Sequence, residues 1–193
     1  MSAIDCRAEM IAHCLTVPTH RRLKALGVDG GFAALLGSQW GVGQARVLLQ
    51  SRGRFWEPVG PDARLLLAIY EGDQMVDIAA VSAAYPSEVA LRTGYGWCLG
   101  SEQIEAAHRA VLAERRAVLR IVADPLEWLR WGGQALCVFD WAVAVRELRL
   151  LGERVTVECD AGAGEQLRAI LKVGGLPRVR ERAPVPVRRQ EAA

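Results

Sequence analysis

Three short apolar runs, each closed by acidic residues and each followed by a helical pattern, constrain this chain more than any other feature. They occupy residues 118–124, 135–140 and 154–160, and end in Asp124, in Asp140, and in Glu158 with Asp160. Runs of this length that alternate with helical segments are consecutive units of a mostly parallel sheet, buried on both faces. In such sheets the carboxyl ends of the strands face the ligand crevice. The four acidic residues are therefore expected along one edge.

Upstream, the pattern changes twice. Residues 4–14 show a helical period, and Pro18 ends it. Thr19 is placed to cap a helix over 20–26, with Gly27 at the position that tolerates a left-handed backbone. A further apolar piece, 32–36, follows a glycine pair. Two short helices around a glycine turn have the outline of a DNA-reading helical pair, and Arg21, Arg22 and Lys24 would suit phosphate contacts. Helical hairpins that merely cover a sheet share that outline. From Gln44 to Trp97 the period becomes that of strands, at 45–49, 54–57, 63–70, 74–81 and 88–92, separated by Gly and Pro turn chemistry. The segment 92–100 is a glycine-rich connector, and Ser101 is placed to cap an amphipathic helix that leads to residue 118.

The expected fold class is α+β: N-terminal helices, an antiparallel β-meander, and a C-terminal α/β portion with about three roughly parallel strands. Residues 1–100 would hold the helical hairpin and the antiparallel sheet, and 101–176 the α/β portion, the two being separate or one continuous domain. Residues 177–193, rich in Pro and Arg, would form a flexible tail, since they have too few apolar side chains to offset the entropy of ordering them.

Several function classes lose support. No apolar run approaches the roughly 20 residues that span a bilayer, so a cytoplasmic protein with no membrane partner is expected. Five cysteines with no CxxC pair fit neither a disulfide framework nor a structural zinc site. The three histidines are scattered without a ligand spacing. Gly41-Val-Gly43 lacks both a preceding strand and a third glycine. Gly162-Ala-Gly164 follows a strand and opens a helix, but Asp160 just before it would repel a phosphate. No catalytic residue set is complete. Trp128, Trp131 and Trp141 fall close together, as rings filling space between helix and sheet or as a surface for stacking.

The acidic strand ends carry the alternative. Glu158 and Asp160, two residues apart on one strand, point the same way. With Asp140 they form a set of hard oxygen donors of the kind that holds Mg²⁺. Residues 135–171 resemble, in these positions, a degenerate Toprim domain of primases and topoisomerases. That family has a glutamate after one strand and Asp-x-Asp after a later one. Here Asp140-Trp141 and Glu158-Cys-Asp160 stand at those places, with Ala161-Gly-Ala-Gly164 following. The resemblance implies Asp140, Glu158 and Asp160 as Mg²⁺ ligands in phosphoryl transfer on nucleic acid. The whole chain is also similar to small uncharacterised proteins of alphaproteobacterial prophages and mobile elements, through Leu91-Arg-Thr-Gly94 and residues 125–133.

The expectation is thus a non-catalytic interaction or accessory module without a cofactor, associated with nucleic-acid processing in such a system. The alternative is a Mg²⁺-dependent, Toprim-like enzyme or regulator. Its partners would be a protein, a second copy of itself, or nucleic acid. The nucleic-acid contacts would come from the tail, through Arg178, Arg180, Arg182, Arg188 and Arg189, because from residue 178 onward the chain carries five arginines and two glutamates while the remainder is nearly neutral.

Overall fold

The period-two segments between residues 42 and 91 close on themselves. In the computed structural model, which describes residues 4–13, 17–39, 41–160, 164–171 and 178–182, they form β1 (Val42–Gln50), β2 (Phe55–Pro58), β3 (Asp62–Glu71), β4 (Gln74–Val81) and β5 (Val89–Leu91). β1 pairs antiparallel with β2 and β3, β3 with β4, and β4 with β5. A single parallel contact, Phe55 opposite Leu91, joins β2 to β5 and completes a barrel. The expected antiparallel meander is not what forms: β2 and β3 do not pair, because the chain crosses β1 and β3 adds to its other side, and the closed sheet lacks the two edges an open one would expose. Gly60 lets the β2–β3 connection pass close over β1, because a Cβ there would collide with the Val47 backbone.

The doubly apolar run of β3 follows from this closure. Val47, Trp56, Leu66, Ile78 and Ala90, one from each strand, belong to one buried cluster, which Cys6 and Met10 of α1 (Cys6–His13) join. The alternate residues, including Leu65, Leu67 and Ala79, pack outward. They meet Leu23 of α2 (Val17–Ala25), Ala33 and Leu36 of α3 (Gly30–Ser38), and Leu126, Trp128 and Leu129 of α5 (Pro125–Arg130). Full burial of each such aliphatic side chain is worth about 1.5–3 kcal/mol. An ion pair of 2.9 Å from Arg92 to Glu9, with the guanidinium over the Trp56 ring, ties α1 to the barrel.

The second sheet contains β6 (Cys98–Leu99), β7 (Ala117–Val122), β8 (Leu136–Val138), β9 (Val155–Asp160) and β10 (Arg178–Arg182), in the order β10-β9-β7-β8-β6. All neighbours are parallel except β6 with β8. α4 (Ser101–Leu112), α6 (Trp141–Leu151) and α7 (Gly164–Leu171) bury one face through Ile104, Leu148 and Leu167 against Leu119, Ile121 and Val157. The α+β class is therefore the observed one. Among the described residues, no helix is long and apolar enough to cross a membrane.

Three local expectations change. α2 starts at Val17, so Thr19 lies within its first turns and not at the cap. Gly100, at φ +82°, precedes α4 in place of Ser101, whose hydroxyl instead donates to the Tyr70 carbonyl at 2.7 Å. Only glycine suits that position, since a Cβ would also strike the Ala135 carbonyl. Residues 178–182, expected in a flexible tail, are strand β10, paired in register with all but the first residue of β9. Val179 supplies the apolar contact that docks it.

Candidate functional site

Chain order decides which acids can meet. From β7 the chain passes through α5 to β8 on one side, then through α6 to β9 on the other, so β7 separates β8 from β9. Neighbouring strands whose connections leave in opposite directions make a switch point, here β7 and β9. A small cavity of about 120 Å³ opens at these strand ends, lined by Ile121, Ala123, Val138, Trp141 and Asp160 among others. Asp140, at the end of β8, is separated from the end of β9 by β7.

The strand-end carboxylates are occupied locally. Asp124 accepts from the N–H groups of Leu126 and Glu127 at 2.8 and 3.0 Å and caps α5, whose first residue is Pro125. Asp140 accepts from Ala142 at 2.8 Å and Val143 at 3.4 Å and caps α6. Both carboxylates satisfy helix-start donors that would otherwise lack partners.

Glu158 is held differently. It lies within β9, nearly buried, in register with Arg120 of β7 on one side and Arg180 of β10 on the other. Arg180 donates to one carboxylate oxygen, and Arg120 to the other at 3.2 Å. The Arg180 hydrogen bond, with help from Arg120, holds the Glu158 carboxyl below the usual glutamate range, although burial pushes the other way. The Arg120 guanidinium also lies 3.7 Å over the ring of Trp131, while its Nε has no hydrogen-bond partner among the described residues. The result is a row of charges across three strands, roofed by an aromatic ring.

The proposed Mg²⁺ set is therefore not assembled. Asp140, Glu158 and Asp160 do not converge, and among the described residues no group of three or more His, Cys, Asp or Glu could hold a metal ion. The donor chemistry agrees, because both Glu158 oxygens face guanidinium groups and Asp140 faces backbone N–H groups. The arginine set divides too. Arg178 and Arg182 stand in β10 opposite Thr156 and Asp160, and Arg180 is engaged with Glu158. Arg188 and Arg189 lie outside the described residues. Of the tryptophans, Trp128 packs edge-on against Phe32 at 5.8 Å, while Trp141 is 39% exposed.

A larger cavity of about 450 Å³ lies between the barrel and the ends of β7 and β8. It is bounded by Arg54, Gly94 and Gly96 on the barrel side and by Ala123, Phe139 and Trp141 on the other. The loop carrying Gly94 is fixed by Asp77, which is completely buried. Its Oδ1 accepts from the N–H groups of Ile78, Arg92 and Thr93, and its Oδ2 from those of Gly94 and Gly96, all at 2.8–3.0 Å. The sequence marks this connector by its glycines and aromatics, but not the carboxylate 15 to 19 residues earlier that organises it. No protein-family model, curated protein or solved structure gives a match to this chain.

Proposed function

We propose that this chain is a non-catalytic interaction module associated with nucleic-acid processing, an accessory component of a phage or mobile-element system. The observation that carries the non-catalytic part is the fate of the acids: Asp124 and Asp140 cap helices, and Glu158 neutralises two arginines. Carboxylates so engaged would have to give up hydrogen bonds worth about 1.5–3 kcal/mol each before binding a metal. The nucleic-acid association draws on the similarity to prophage and mobile-element proteins and on the cluster of arginines from residue 178 onward.

Thermal unfolding across a Mg²⁺ titration tests the reading. A specific site stabilises the fold by RT ln(1 + [L]/Kd), about 2.7 kcal/mol at a hundred times Kd. Wild type and Asp160→Asn are expected to show the same small, non-saturating response. A saturable rise in wild type that Asp160→Asn abolishes would overturn the proposal in favour of a Mg²⁺-dependent, Toprim-like activity.

A further inference from the structure

We propose that the groove between the barrel and the strand ends of the second sheet binds single-stranded nucleic acid, which names the partner of the module described above and rests on that reading. The 450 Å³ cavity does not end at the barrel wall. A second cavity of about 620 Å³ shares Arg54, Ser87 and Val89 with it, so the two form one groove. Each part is of a size that takes a nucleotide-sized group.

The groove's charge is set by the side chains that line it. Arg52 and Arg54 are exposed and line the groove, with the Arg54 guanidinium 5.5 Å from the centroid of the Phe55 ring. They sit on a turn whose Ser51 and Arg52 hold φ of 49° and 60°, a left-handed conformation that costs non-glycine residues on the order of 1 kcal/mol. The acids along the same path are engaged: Glu88 with Arg64 at 3.5 Å, and Asp140 with the start of α6. The lining holds Arg52, Arg54 and Arg64 against Glu88 and Asp140, so its net charge is positive.

Aromatic surface supplies the second half of the argument. Tyr95 lies between the lining residues Gly94 and Gly96 and is 80% exposed. Trp141 lines the opposite wall. The five N–H bonds to Asp77 fix the backbone on either side of Tyr95, so little ordering remains to be done when a ligand arrives. Exposed arginines in a lining that also holds Trp141, with the exposed Tyr95 next to lining residues in the chain, suit phosphates and unpaired bases together, the combination by which single strands are held without sequence preference. A peptide recognised by charge alone would not need the rings, and one recognised by apolar contact would not need the arginines.

The test is fluorescence anisotropy of a labelled oligothymidylate and of a duplex, with the full chain in EDTA, over a salt series. Single strand is expected to bind more tightly than duplex. Tyr95→Ala, which removes an exposed ring and should leave the melting temperature unchanged, is expected to weaken binding by roughly 5- to 150-fold, the range for one base stack. Arg52→Ala with Arg54→Ala should make the logarithmic salt dependence shallower by about 1.4, as for two single-strand phosphate contacts. The inference is overturned if both groove variants bind like wild type, if only Arg188→Ala with Arg189→Ala loses binding, or if polyglutamate competes as well as the oligonucleotide at equal charge. Absence of saturable binding at low salt overturns it as well. Loss of binding in the groove variants together with Mg²⁺-dependent cleavage by wild type would uphold the groove and contradict the non-catalytic reading, so the two failures are distinguishable.

Discussion

Asp77 and Glu158 are both buried carboxylates, and they are stabilised by opposite means. Asp77 has five backbone N–H donors around it, whereas Glu158 has two guanidinium groups. Asp77→Asn keeps the shape but turns an N–H₂ toward donors, leaving buried groups unsatisfied at about 1–3 kcal/mol apiece. Urea unfolding is expected to show a loss of at least about 3 kcal/mol. Glu158 predicts a pH dependence. Its folded pKa is lowered, so its contribution is fully present above the ordinary glutamate value of about 4.3 and is lost as pH falls below that. Glu158→Gln should therefore destabilise at pH 7, by roughly 1 kcal/mol once the exposure of Arg180 is allowed for. It should also unfold with a flatter pH dependence than wild type below about pH 4.3; equal slopes would contradict the assigned ion pairs.

At the level of elements, what the sequence makes legible follows period and length. The strands at 63–70, 74–81, 118–124 and 154–160 are apolar runs bounded by turns, and each is found within two residues of its expected limits. The closing contact of the barrel depends on a single residue pair between β2 and β5, which no local pattern announces. β10 was hidden because Arg-Val-Arg-Glu-Arg reads as a solvated end. A charged sequence is nonetheless what an edge strand carries to discourage further pairing, and Val179 is its one apolar contribution to the core cluster. Truncation after Leu176 is accordingly expected to cost about 1–3 kcal/mol, from lost apolar burial and the exposed ladder of β9. Unchanged stability on chemical denaturation would restore the view of residues 178–182 as a dispensable tail.

On the scale of the whole molecule, the candidate site was only half legible. The sequence places acids at the carboxyl ends of parallel strands, and the fold keeps them there. Which strands are neighbours, and whether a carboxylate turns inward to cap its own helix, are decided by the crossing from β8 over β7 to β9 and by the helix starts at Pro125 and Trp141. Arg54, Gly94 and Gly96 of the barrel come to the same crevice through turns at residues 51–54 and 92–96, which read in sequence only as breaks between strands. The central claim is that these strand-end carboxylates serve the fold. It is tested most directly by the change in unfolding free energy on Asp140→Ala, measured once in chelator and once in saturating Mg²⁺. Loss of a helix cap predicts a decrease of about 0.5–2 kcal/mol, the same in both conditions. Unchanged or higher stability in chelator, combined with a loss that appears only with Mg²⁺, is the signature of relieved repulsion in a metal site and would contradict it.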